Sequence, residues 1–530
     1  MNPSSMASKT RILGGIALAC TLAGCQKPPA RPPSTRAGVQ PASTGQGSLQ
    51  VGNPVPPAPP QIFIDTAFQL PTGRVMLVHP GENLQAALDN AALNSVIVLD
   101  SGGTYTGQFV LKPKAGEGWL YIVSSAFLGG ASVTPRHPEG TRVTAADAPD
   151  MAKLVSDRMP PPIGVRNDSI ISHVRLVGLE ITSSSVANAD PNAKPWPVNG
   201  QTPVLVSLTQ ADNIVVDRCY IHGTDTVDVN HAVMGNKGSS YISVVDSEIS
   251  NVHYMGLEAH GILFTASPGP FKIVNNKISA TTEDVLFGGS GVNLPAPYNG
   301  MVPSDIEIRY NWFYKPESWI PETTTKPTRY TEKNNLEFKS GQRAIVEGNT
   351  MENAWWGGQY GSNILLTPRS YQSGPNTVVN DIDIEGNLLK NANWAFSISG
   401  RDELCQPPQC TNQGESARVR IAFNMIKLRS VASPASYKPL AFSIGKREKD
   451  YLIYSNTVVS MDNSAPWSTI YFNQGKCPLV DDQPVNMWIV DNVFAQGITG
   501  DCGYTGQKAL DSYMPLPSPP NDRYLGNNVK

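Results

Sequence analysis

The chain has 530 residues, and its 41 Lys and Arg against 44 Asp and Glu give a net charge of −3. Setting aside Lys9 and Arg11, which lie in a segment of their own, the balance is −5. That excludes a broad nucleic-acid-binding surface and leaves a polyanionic substrate only a local basic patch. None of the seven cysteines forms a CxxC pair or a Cys/His cluster at zinc-ligand spacing, which excludes a zinc site.

Residues 1–25 stand apart. Lys9 and Arg11 precede the apolar run ILGGIALACTLAG, too short to span a bilayer, which ends in Leu22-Ala23-Gly24-Cys25. This order resembles a bacterial lipoprotein signal. The resemblance implies export and a lipid on Cys25, holding the protein in the cell envelope, on the outer membrane, in the periplasm or at the cell surface. Residues 26–60 hold ten prolines among Ser, Thr, Gly and Gln and read as a disordered tether. Extended at about 3 Å per residue, it reaches up to roughly 100 Å. Residues 61–530 contain no comparable break and read as one elongated domain with loop insertions.

That domain repeats. The phrase Ile/Val-x-x-Asn-x-apolar occurs with Asn276, Asn311, Asn349, Asn387, Asn424, Asn456 and Asn492. Weaker copies place Leu179, Cys219 and Glu248 at the Asn position. The intervals run from 28 to 40 residues, too elastic for a helical repeat of fixed length. Between anchors lies a second strand phrase, such as DVLFGGS, NLEFKSG, NILLTPR or AFSISGR. Short alternating strands, a tight Asn turn and one loop of variable length predict parallel strands stacked turn on turn. Stacked Asn amides then hydrogen-bond along the column, a structural role.

The pattern resembles the right-handed parallel β-helix of the pectin-lyase-like superfamily. It implies an all-β, single-stranded solenoid of about ten or more turns. Residues 79–112, HPGENLQAALDNAALNSVIVLDSGGTYTGQFVLK, fit its N-terminal capping helix followed by strands. Capping covers the open strand edges. EDVLFGG, PSDIEIRYN, KNNLEFKSGQRAIVEGN and ILLTPR are similar to a group of exported bacterial β-helix proteins, a resemblance that names no activity. The fold hosts lyases, hydrolases, esterases and adhesins, so it does not choose among them.

Chemistry is sought on the outer face. If Leu336 and Phe338 point into the coil, Glu337 and Lys339 point out. Aligning Phe338 with Phe287 and Leu366 brings Asp284 and Arg369 onto neighbouring rungs, with the Cα atoms of Lys339 and Arg369 roughly 8 Å apart. Arg401, Lys446 and Arg447 extend a basic streak. WWGGQYG supplies Trp355, Trp356, Gln359 and Tyr360 as a sugar-stacking wall beside it. Lys and Arg on adjacent turns resemble chondroitinase B and related alginate lyases. By role, Lys339 is then the base, Arg369 assists the leaving oxygen, and Glu337 with Asp284 ligate calcium. The reaction implied is β-elimination of an acidic, uronate-containing polysaccharide by a monomer. An unmasked Glu337 would keep Lys339 protonated, so this reading needs the acid masked.

Two other readings stand beside it. A non-catalytic carbohydrate-binding or adhesin protein needs no base. A hydrolase of polygalacturonase type is faintly echoed by TDTVD and His260-Gly261, without the adjacent Asp pair or the Arg-Ile-Lys that type carries. Cys405 with Cys410, and Cys477 with Cys502, are expected as disulfides, and Cys219 as a buried free thiol.

Overall fold

The computed structural model describes residues 53–129, 136–156, 162–165, 170–184, 204–289, 296–298, 300–320, 330–369, 377–402, 414–428, 439–460, 468–473, 482–494, 497–514 and 523–529. Almost all of them belong to one compact unit, Val51–Leu128 with Pro135–Lys530.

Its strands form three sheets of 14, 13 and 12 strands, all paired in parallel; Val75–Val78 pairs with the next strand, Ser95–Leu99, and from there on each strand pairs with the one three places on in the chain, up to the last turn. Each turn therefore gives one strand to each sheet, one more than the sequence phrases indicate. The first sheet begins at Val75–Val78, the second at Thr104–Thr106 and the third at Phe109–Leu111. The result is a right-handed parallel β-helix. One side of each strand fills the coil. Phe264, Phe287 and Phe338 follow one another on successive turns of the third sheet, with ring centroids 5.8 and 5.3 Å apart.

The Asn column is as expected and longer at its far end. The backbone N–H and side-chain amide of Asn311 both donate to Asn349 Oδ1, at 2.9 and 3.0 Å. Asn349 donates in the same way to Asn387, and the series runs through Asn424, Asn456 and Asn492 to Asn527. One position is corrected. The ladder passes from Asn276 to Ser247, whose N–H donates to Asn276 Oδ1, and on to Cys219, whose N–H donates to Ser247 Oγ. Glu248 lies one residue further on and pairs with Lys277.

Helices close both ends. Leu84–Asn90, capped by Asn83 Oδ1 accepting from Ala86 N, buries Leu84 and Leu88 against the first turns. At the other end Gly506–Tyr513 buries Ala509, Leu510 and Tyr513, and Tyr513 stacks on Phe472. The sequence reading named only the first.

Cys219 is free and fully buried, and burial pushes its thiol up to about 12. Cys502 is disulfide-bonded. Cys25, Cys405, Cys410 and Cys477 lie outside the described residues. The domain boundary at 61 is corrected, because residues 53–60 lie on the coil rather than free of it: Val55 N and Ala58 N donate to Asp450 and Asp381.

Replacing Asn349 by Ala strands both Asn311 donors in the buried ladder. Denaturant unfolding should show a loss of about 2–4 kcal/mol, while the same change at Asn527, at the ladder's end, costs less.

Candidate functional site

Strand Leu336–Phe338 pairs with Glu283–Phe287 below and Ser362–Leu366 above, in the register expected. Leu336 and Phe338 lie in the core. Glu337 and Lys339 occupy the opposite face, but they are not exposed: Glu337 is 1% and Lys339 8% accessible. Two loops roof them. Gly358 N donates to Glu332 O, tying the loop after Asn353 to the one before Leu336. Asn334 Nδ2 donates to both Glu337 Oε2 and Gln359 Oε1, each at 2.9 Å.

Beneath that roof is a cluster of charges. Lys339 Nζ lies 3.6 Å from Glu337 Oε1. Lys333 pairs with Glu258 and lies 3.9 Å from Glu283. His260 Nε2 sits 2.9 Å from Glu283 Oε2, and its Nδ1 sits 3.1 Å from Nδ1 of His231. Among the described residues neither Glu283 oxygen accepts a hydrogen bond from a well-aligned N–H or O–H. The Glu337 carboxyl is within hydrogen-bonding reach of Glu283.

The surroundings drive the two acids apart. Burial, reinforced by the Glu283 charge, lifts Glu337 to about 7 against the pull of Lys339. Glu283 is equally buried, but His260, Lys333 and Lys339 outweigh that and hold it well below the usual carboxylate range. For Lys339 burial opposes the charge, yet Glu337, Glu283 and Glu258 hold it above the usual lysine range. Acids so placed favour the ammonium form of Lys339, which counts against the expected role as base.

Other expected members change place. Asp284 is sealed in a separate polar column: Asn335 Nδ2 donates to its Oδ2 at 2.8 Å, Ala280 N to its Oδ1 at 2.7 Å, and Asn363 Nδ2 to Asn335 Oδ1. It cannot join Glu337 in holding a cation. Among the described residues no group of three or more His, Cys, Asp or Glu is arranged for a metal ion. Arg369 comes closer than expected, since its N–H donates to Lys339 O at 2.8 Å, but its guanidinium is bidentate on Asp402. Lys446 and Arg447 share Asp482, so the basic streak is largely neutralised; Arg401 is half-buried on the turn of Asp402.

The aromatic wall is also rearranged. Trp355 is buried against Trp319 and Tyr330, with its indole N–H on Pro316 O, and offers no face to a sugar. Trp356 is half-buried. Tyr360 is 40% exposed and stacks on Trp394, centroids 4.3 Å apart, giving an accessible ring beside the roofed cluster.

The sequence reading missed Glu258, Glu283 and Lys333, and named His260 only as an echo of a hydrolase motif. Alternation could not mark Glu283, because it shares the parity of the inward-facing Val285 and Phe287.

No protein-family model and no curated protein matches the sequence. Among solved structures the chain is similar to an endo-xylogalacturonan hydrolase from Aspergillus tubingensis: 12% identity, TM-score 0.40, 75% of this chain and 95% of that one. It is similar also to a polygalacturonase from Erwinia carotovora ssp. carotovora: 13%, TM-score 0.43, 80% and 100%. A third is the Streptococcus pneumoniae surface protein and adhesin PfbA: 11%, TM-score 0.41, 85% and 95%. Likenesses this distant carry no inference about chemistry.

Because the folded pKa of Glu337 lies above its ordinary 4.5, folding favours its protonated form. That contribution is full below about pH 4.5 and is lost as pH rises through about 7. Glu332 and Asp284, raised to about 8 and 7 by burial, act in the same direction in any variant that keeps them. Melting temperatures of wild type and Glu337→Gln, compared from about pH 5 to pH 8, should therefore diverge in favour of the variant as pH rises.

Proposed function

We propose that this chain is a β-helix enzyme that binds an acidic polysaccharide across the outer face of its third sheet and cleaves it by β-elimination, with Glu337 as the proton acceptor. The feature that carries the reading is the roofed Glu283–Glu337 pair, two buried acids set among His260, Lys333 and Lys339, with burial raising Glu337 and the neighbouring cations lowering Glu283, an arrangement typical of acid–base sites. Two carboxyl groups in mutual reach do not bracket a glycosidic bond, for which hydrolases hold theirs about 5 to 9.5 Å apart. Elimination needs one base. The base takes the proton beside the uronate carboxylate, the electron pair forms the ring double bond, and the leaving oxygen departs and takes a proton from solvent. Lys333 and Lys339 offset the carboxylate charge.

Substrate reaches Glu337 only if the roof parts. Glu258, half exposed on its side chain, is the group that a substrate carboxylate displaces from Lys333. Incubation with a panel of uronate polymers, followed by ultraviolet absorbance of unsaturated ends, tests the reading. Glu337→Gln should abolish turnover and leave polymer binding within about twofold. Glu258→Gln should lower KM several-fold. Tyr360→Ala should weaken binding about tenfold, the value of one stacked ring.

A second reading, a non-catalytic carbohydrate-binding surface protein, is favoured by the near-complete burial of Glu283 and Glu337. It predicts the Tyr360→Ala loss with no unsaturated product from any polymer. Export and anchoring through Cys25 rest on the LAGC signal alone. Fractionation of Cys25→Ser should move the protein from membranes to the soluble fraction.

A further inference from the structure

The Pro-rich segment meets the coil in a regular way. Val55 N donates to Asp450 Oδ1 at 3.3 Å, Ala58 N to Asp381 Oδ1 at 3.0 Å, and Gln61 N to Asp305 Oδ1 at 2.8 Å. The interval is three residues each time. Pro54, Pro57 and Pro60, the residues before these donors, are buried or half-buried, while Val55 and Ala58 are exposed. Both patterns are those of a polyproline II helix, with three residues per turn. Across residues 54–61 only Val55, Ala58 and Gln61 carry an N–H, because the other five are proline, and all three donate to an aspartate.

The spacing matches the coil. Asp305, Asp381 and Asp450 begin strands of the first sheet that are two turns apart in the stack. Two turns rise about 9.6 Å, and three polyproline residues rise about 9.3 Å. Arg343 and Arg418 fill the turns between, each bidentate on the Asp below it. Further down, Lys272 Nζ donates to Ile64 O, and Arg175 to Thr66 O and Ala67 O. At the upper end Asn486 Nδ2 donates to Asn53 O. From the strand after Asn486 to the strand of Arg175 there are nine steps in the first sheet, about 43 Å. Fourteen residues of polyproline II also span about 43 Å.

We infer that residues 53–67 are a polyproline II strap whose binding track is the Asp/Arg column of the first sheet, and that it clasps turns far apart in the coil into one cooperative unit. A solenoid whose turns touch only their neighbours unfolds from its ends. A strap bonded to many turns at once opposes that. It also holds Asn53 beside Asn486, at the end of the first sheet away from the capping helix Leu84–Asn90.

Hydrogen–deuterium exchange on the full chain, read by mass spectrometry, tests this. In wild type, a peptide covering residues 54–61 reports only the three strap donors, and these should exchange at least tenfold more slowly than an unstructured peptide. Val55→Pro with Ala58→Pro keeps the polyproline conformation, touches no coil residue and removes two donors. In that variant Gln61 should lose protection, and strand Trp488–Val490 should exchange about tenfold faster, while Leu336–Phe338 is unchanged. Strap amides that exchange at the unstructured rate in wild type would overturn the strap. Unchanged protection of Trp488–Val490 in the variant would overturn the clasp.

Discussion

The amide ladder from Cys219 to Asn527 is the constraint on which the rest depends. From Asn311 on, each Asn accepts from the backbone and side chain of the Asn below it, so its amide is fully used and its rung height is set. Turns can then differ in length by a dozen residues without losing register, because surplus residues leave the coil as loops at other corners. The third sheet inherits that register, and Phe287, Phe338 and Leu366 align in consequence.

Loops that leave the coil create the site. In a bare coil Glu337 and Lys339 would be solvated charges worth little. The segments around Tyr330–Asn334 and Ala354–Tyr360 fold over them and lower the local polarity. Their charges then act on one another: Glu337 goes up, Glu283 goes down, and the ammonium form of Lys339 is favoured. The same burial holds Lys315 beneath the roof, where it donates to the carbonyls of Ala280, Thr281 and Thr282 near Glu332.

The strap shows a different use of regularity. Proline removes donors wherever it stands, so the placement of the three remaining N–H groups carries the information. Composition alone reads residues 53–60 as a tether. The three-residue phase of Val55, Ala58 and Gln61 against alternate turns becomes visible only once Asp305, Asp381 and Asp450 are seen in one column.

The sequence by itself determined the coil: the Asn phrases, the period-two alternation, the inward Leu336 and Phe338, the free Cys219 and the helix at the start are all local patterns of one chain segment. It also put Glu337 and Lys339 on the outer face. What it did not determine was whether that face meets water, which acid stands beside Glu337, or where Trp355 goes. Those depend on how loops of unequal length, remote in sequence, pack across neighbouring turns. Period-two alternation says which way a side chain points; only the tertiary structure decides what lies there to meet it, and burial with that company sets its charge.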